Sequence, residues 1–253
     1  QRVSGRRIFT CGPLIHNRRV TDDLERQGVT IIEQLSEARP GDVVIVRSHG
    51  EGKAFFEEAD SRGLTVVNAT CPFVDRIHQL VFDAYNEGKH IVIVGDQSHP
   101  EVRGIDGWCA NTATVIGTRE DAEKAASDLA SAFLVCQTTI KKELLEEIIS
   151  VFEEKRIPVE VHNTICDATR KRQQACSELS KTVDAMVIIG GKNSSNTRKL
   201  YEISKKNCNK SFFVENIEDL PLQLVRNCNK IGVAAGASTP ECVIKEVIAN
   251  MSE

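Results

Sequence analysis

The sequence predicts an α/β protein of mostly parallel sheets under helical cover. Three observations carry this expectation. Short apolar runs alternate with helix-period segments along most of the 253 residues. The runs are rich in Val and Ile, as strands buried on both faces are. Nearly every run is followed by Gly, Ser, Thr, His or Cys, residues suited to turns and helix starts.

Taken in order, residues 43–46 (Val-Val-Ile-Val) read as a buried strand and 52–62 as the following helix. Strand 65–67 precedes helix 73–86, and further strands are expected at 91–94 and 133–135. Helix 141–155 follows, then helix 169–181, strand 185–189, helix 197–206 and strand 231–234. Strand–helix alternation of this kind gives parallel pairing with helical crossovers. Polar stretches at 117–121 and 155–161, the latter containing Pro158, read as joins. No low-complexity tract and no strict repeat is present.

The totals exclude several classes. Hydrophobic residues are 41% and charged residues 27%, enough for a buried core. A net charge of -4 argues against nucleic acid as a partner. No apolar run is long enough to cross a bilayer, so no membrane association is expected. The nine cysteines are odd in number, scattered and without a Cys-x-x-Cys pair. That points to a reducing compartment such as the cytoplasm rather than a disulfide framework. The chain starts at Gln1, and further residues are expected before it, with room for more after Glu253.

The strand ends hold the chemistry. Strand 43–46 leads to Ser48-His49-Gly50, strand 65–67 to Thr70-Cys71-Pro72, and strand 91–94 to Ser98-His99-Pro100-Glu101. Strand 133–135 leads to Gln137-Thr138-Thr139, and Asn163-Thr164-Ile165 leads to Cys166. Strand 185–189 leads to Gly190-Gly191-Lys192-Asn193-Ser194-Ser195-Asn196, and strand 231–234 to Gly236-Ala237-Ser238. Ligands of parallel sheets bind at this rim, where helix N-termini attract anions. Residues 190–196 are a candidate anion loop, although neither a Walker sequence nor a dinucleotide fingerprint. His16, His49 and His99 can bind zinc or donate to a polyanion. Glu101 can relay protons or serve as a first-turn helix acid. Cys71 and Cys166, each before a helix, are the best candidates for iron–sulfur ligands; a pair of core thiols is the competing reading, and Cys109 and Cys136 stay open.

Together with His16-Asn17, Ile165-Cys166-Asp167-Ala168-Thr169 and Ala235-Gly236-Ala237-Ser238, these motifs closely resemble the LytB family of 4-hydroxy-3-methylbut-2-enyl diphosphate reductases, in order and over essentially the whole chain. The resemblance implies three small α/β domains around a central cleft. The expected limits are residues 1–71 plus 239–253, then 72–165, then 166–238. It implies reductive dehydroxylation of an allylic alcohol diphosphate to isopentenyl and dimethylallyl diphosphate, in the cytoplasm or a plastid stroma.

The family's [4Fe–4S] cluster implies Cys71 and Cys166 as two metal ligands. The third is expected from a glycine-rich segment preceding Gln1, since Cys11 lies too close to His16-Asn17 to match it. The diphosphate pocket carries over to His16, His49, His99, Ser194, Ser195, Asn196 and Ser238. Thr138 matches the residue near the substrate alcohol and Glu101 the proton donor, with His99 beside them in the catalytic set. Ferredoxin or flavodoxin is the implied electron donor. The competing readings are a non-redox diphosphate-binding protein with a disabled cluster site and a zinc hydrolase.

Overall fold

A computed structural model describes residues 5–15 and 17–251. His16, expected to bind substrate, lies outside the described residues. The chain forms two compact units, one of residues 1–14 and 24–165, the other of 15–23 and 166–253. Three separate sheets are present, and among the described residues every strand pairing is parallel.

The first unit holds two sheets. One contains β1 (Ile8–Cys11), β2 (Val29–Ile32), β3 (Val43–Val46) and β4 (Thr65–Asn68) in the order β2-β1-β3-β4. Helix α1 (Arg18–Arg26) connects β1 to β2, and α2 (Lys53–Ser61) connects β3 to β4. Phe9 and Val44 from the sheet bury against Ala59 of α2.

Helix α3 (Pro72–Asn86) leads to the other sheet of this unit. It contains β5 (Ile91–Val94), β6 (Thr114–Ile116), β7 (Ala132–Cys136) and β8 (Val159–Val161) in the order β6-β5-β7-β8. Its helices are α4 (Pro100–Asp106), α5 (Arg119–Ala125) and α6 (Lys142–Glu154).

The period-two alternation of strand side chains divides this sheet's core cleanly. Val92, Val94, Leu134 and Cys136 face Ile148 and Phe152 of α6. Ile91, Ile93, Phe133 and Val135 face Ile77 and Val81 of α3 and Val102 and Ile105 of α4. Helices on both faces require apolar residues at every position, which is why β5 reads Ile-Val-Ile-Val without a break.

The second unit is built in the same way. Its sheet contains β9 (Ala185–Ile189), β10 (Ser211–Val214) and β11 (Ile231–Ala235) in the order β10-β9-β11. Met186 and Ile188 meet Cys176 of α7 (Asp167–Ser180) and Leu200 of α8 (Ser195–Asn207). Val187 and Ile189 meet Val225 of α9 (Leu222–Arg226) and Val243 and Val247 of α10 (Glu241–Met251). This packing corrects the expected placement of 239–253 in the first domain: α10 buries its apolar stripe on the third sheet and belongs to the second unit. Among the described residues, no helix is long and apolar enough to cross a membrane.

Phe152 is fully buried on the α6 face of the β5–β7 sheet. Phe152→Ala should therefore lower unfolding free energy by about 3–5 kcal/mol, the range for a lost core aromatic with its cavity. Urea unfolding measures this; a shift under about 1 kcal/mol would show that this core collapses around the gap.

Candidate active site

Register in the β5–β7 sheet sets the first part of the site. Val94 pairs with Cys136, so the segments leaving β5 and β7 emerge side by side. Gln137 ties them together, its backbone N–H donating to the Val94 carbonyl at 2.9 Å and its side-chain Oε1 accepting from Asp96 N at 3.2 Å. His99 then caps α4 with Pro100 at the first helical position. Its Nδ1 accepts from the Glu101 backbone N–H at 3.2 Å. An accepting Nδ1 is unprotonated, which makes Nε2 the ring's N–H donor.

Glu101 is only 2% exposed. Thr138 meets it twice, donating from its backbone N–H to Oε1 at 2.6 Å and from its hydroxyl to Oε2 at 2.9 Å. Burial pushes the carboxyl up to about 7, while the two Thr138 hydrogen bonds pull the other way. The group is therefore close to half protonated at neutral pH, which suits proton delivery. The His49 ring, after β3, lies 5.4 Å from the His99 ring in an edge-on arrangement at 81°. Glu101, Thr138, His99 and His49 thus belong to one unit, with Glu101 bonded to Thr138 and His49 against His99.

Cys71, also in this unit, is the N-cap of α3, with Pro72 following it. Its carbonyl accepts from Val74 N at 2.8 Å and Asp75 N at 3.0 Å, and its N–H donates to the Ser48 carbonyl at 3.0 Å. The thiol is half-buried at the positive end of a 15-residue helix. In the second unit, Cys166 caps α7 in the same way, and its carbonyl accepts from Arg170 N at 2.9 Å.

Other thiols have different surroundings. Burial raises Cys109 to about 12 and Cys176 to about 11, and it raises Cys136 as well. Burial likewise raises Cys11 to about 11, and its thiol lies 3.7 Å from the Glu33 carbonyl. These are protonated core or carbonyl-bonded thiols. Cys71 and Cys166 are instead each half-buried at the N-terminus of a helix. Among the described residues, no group of three or more His, Cys, Asp or Glu side chains is gathered to hold a metal ion.

The second unit carries residues 190–196, the candidate anion loop. Neighbouring strands β9 and β11 place residues 190–196 beside 236–238, and Gly236 N–H donates to the Ile189 carbonyl at 2.9 Å. Ser194 caps α8, its hydroxyl accepting from Thr197 N at 3.3 Å. Ser195 and Ser238 are half-buried. Asn196 is buried, and neither its Nδ2 nor its Oδ1 has a hydrogen-bond partner. A buried amide left in this state costs about 1–3 kcal/mol.

Sequence reasoning missed the bridging role of the Gln137 side chain, although Gln137 stood in the quoted motif. Its amide oxygen reaches the backbone of Asp96, in a segment distant in sequence, and no local pattern signals that.

The raised Glu101 carboxyl makes stability depend on pH. Between its ordinary value of 4.5 and about 7, the folded chain binds more protons than the unfolded chain. Stability therefore falls as pH rises through that window, by about 3 kcal/mol from this group. Glu101→Gln should abolish this component. In urea titrations at pH 4.5 and 8, the variant should gain on the unmodified chain at the higher pH; an unchanged difference would show that the carboxyl is not raised.

Comparison with known proteins gives the family. Residues 1–252 match the family model described as LytB protein. A 4-hydroxy-3-methylbut-2-enyl diphosphate reductase of Thermoanaerobacter sp. (strain X514) is 44% identical over 250 residues, which is 98% of this chain and 86% of that protein. One of Clostridium perfringens (strain 13 / Type A) is 43% identical, covering 100% of this chain and 90% of the relative. A solved structure of (E)-4-hydroxy-3-methyl-but-2-enyl diphosphate reductase, described as the terminal enzyme of the non-mevalonate pathway, is 38% identical. It superposes with a TM-score of 0.72, covering 99% of this chain and 89% of that one. The Plasmodium falciparum reductase structure gives a TM-score of 0.89 at 26% identity, covering 99% of this chain and 80% of that one. With a family match over residues 1–252, a relative 44% identical over 98% of the chain and a matching fold, this chain belongs to the LytB family.

Proposed function

We propose that the chain catalyses reductive dehydroxylation of 4-hydroxy-3-methylbut-2-enyl diphosphate. The buried Glu101–Thr138 pair beside His99, in a LytB-family chain, is the observation that carries this reading. The reaction consumes two electrons and two protons. The allylic C–O bond breaks, its oxygen leaves as water, and a proton ends on either of two carbons. The products are isopentenyl and dimethylallyl diphosphate.

His49, His99, Ser194, Ser195, Asn196 and Ser238 are the proposed diphosphate donors, with His16 added from the family pattern. Hydroxyl, imidazole and amide groups of this kind bind a compact polyanion through charge-assisted hydrogen bonds. His99 would donate from Nε2 while its Nδ1 accepts from the Glu101 backbone N–H.

Glu101 and Thr138 form the proposed proton relay. When Glu101 is ionised, the Thr138 hydroxyl points at it. When Glu101 is protonated, that bond can reverse, which frees the Thr138 proton to move toward the substrate oxygen. Burial keeps this proton available near neutral pH.

Cys71 and Cys166 are the proposed protein ligands of a [4Fe–4S] cluster. When bound, the cluster would supply electrons singly and a Lewis-acidic iron that polarises the C–O bond. A one-electron carrier such as ferredoxin or flavodoxin would reduce it. Nine free thiols fit a reducing compartment, the cytoplasm or a plastid stroma.

Anaerobically purified protein should contain about four iron and four acid-labile sulfide per chain. No sulfide after reconstitution would sink the reductase reading, and zinc content would then separate a hydrolase from a metal-free diphosphate-binding protein. In the cluster-loaded enzyme, Glu101→Gln should reduce kcat by about 10²–10⁴ with cluster absorbance retained. The unmodified enzyme should lose kcat as pH rises through about 7, because the carboxyl must be protonated to donate. An unchanged kcat in the variant would remove Glu101 from proton transfer.

A further inference from the structure

The loop that carries His49 is held from several sides. Arg47 and Glu51 flank it and form an ion pair at 2.8 Å. The Trp108 indole N–H donates to the Glu51 carbonyl at 3.0 Å. The Ser48 carbonyl accepts from the backbone N–H of Cys71. Gly52 meets Gly107 so closely that a Cβ on Gly107 would lie 2.6 Å from the Gly52 Cα.

At the centre of this region is His78, two turns along the helix that Cys71 caps. It is 2% exposed and stacks on Trp108 with ring centroids 5.5 Å apart at 20°. Its Cε1 lies directly under Gly50, where a Cβ would approach it to 2.3 Å. Gly50 also has φ +76°, so the loop turns there in a conformation that favours glycine.

Stability does not account for an imidazole at this place. Its Nε2 is buried with no hydrogen-bond partner. Burial holds the ring neutral, with its pKa lowered to about 4. An unpaired buried nitrogen costs free energy that a hydrocarbon side chain would avoid. What the imidazole offers is shape, a thin flat ring that fits on Trp108 and under Gly50.

We infer that His78 is a positioning residue: stacked on Trp108, it wedges the 48–52 loop in place and so sets the His49 imidazole opposite His99. The inference rests on the proposed reading of His49 as a diphosphate donor. It also ties the helix that presents Cys71 to the loop that presents His49. His78 touches neither substrate nor cluster in this scheme, so its removal should change binding before chemistry.

The test uses the cluster-loaded full chain, with inorganic diphosphate as the binding probe in calorimetry and the allylic diphosphate as substrate. His78→Ala should raise both the diphosphate Kd and KM about tenfold while kcat stays within about threefold, a loss typical of a few weakened polar contacts. Trp108→Phe keeps an aromatic platform but loses the bond to Glu51, and should raise both constants about threefold. Hydrogen exchange at residues 49–52 should quicken in both variants.

Unchanged Kd and KM in folded variants would overturn the inference. So would a fall in cluster absorbance and kcat with KM unmoved, which marks a purely structural role. If His78→Ala does not fold, Trp108→Phe decides. Failure of the unmodified chain to bind diphosphate or turn over substrate would instead reject the underlying site assignment.

Discussion

A carboxyl group shut away from water at the ends of two neighbouring parallel strands is the constraint around which the candidate site of the first unit is arranged. Glu101 sits at the second position of α4, where the helix dipole favours its charged form by about 0.3–2 kcal/mol. Two hydrogen bonds from Thr138 favour the same form. Burial outweighs all of these and leaves the pKa near 7. Each neighbouring feature serves that balance. The β5–β7 register brings Thr138 to Glu101, Gln137 ties the two segments together, and the His99 cap starts α4 at the required place.

The N-cap position recurs as the local means of presenting reactive groups. Cys71, His99, Cys166 and Ser194 each occupy one. An N-cap residue has non-helical backbone angles, and its side chain lies beside the unpaired N–H groups and positive end of the helix. That setting favours an anion close to the helix end. Cys109, Cys136 and Cys176 have the same chemistry but sit inside apolar cores, where burial holds the proton on sulfur. Position in the helix, not residue type, separates candidate ligand from packing.

The sequence disclosed the layers and much of the rim. Strands 43–46, 91–94 and 185–189 are apolar throughout because their sheets are covered on both faces or buried along the strand. The pairs Cys71-Pro72 and His99-Pro100 carry a legible helix start, since proline suits the first helical turn. Less legible were β2, β6, β8 and β10, which lie at sheet edges, and the central strand β1. β8 was hidden within a stretch read as a join, because Pro158 precedes it and its residues are half-exposed or exposed. The 117–121 stretch read as a turn contains the Thr118–Asp121 capping box that starts α5. His78 left no trace beyond helical spacing. Its partners Gly50 and Trp108 come from other segments and meet it only in the folded chain.

The second unit solves a different problem. Asn196 is buried with both ends of its amide lacking partners, whereas Glu101 is buried with both carboxylate oxygens satisfied. A diphosphate offers only acceptors, so it can take the Nδ2 hydrogens but cannot satisfy Oδ1. Oδ1 must find a separate donor, such as an N–H or an ordered water, once the ligand is in place. This explains why an amide suits the proposed site better than a carboxylate of the same size. An aspartate would turn acceptors and negative charge toward an anion, while asparagine presents a donor without adding charge. In the proposed scheme, burial keeps a proton on Glu101 near neutral pH, and the unpaired Asn196 amide offers a hydrogen-bond donor to a charged ligand. The cost of burying each polar group thus becomes chemical selectivity.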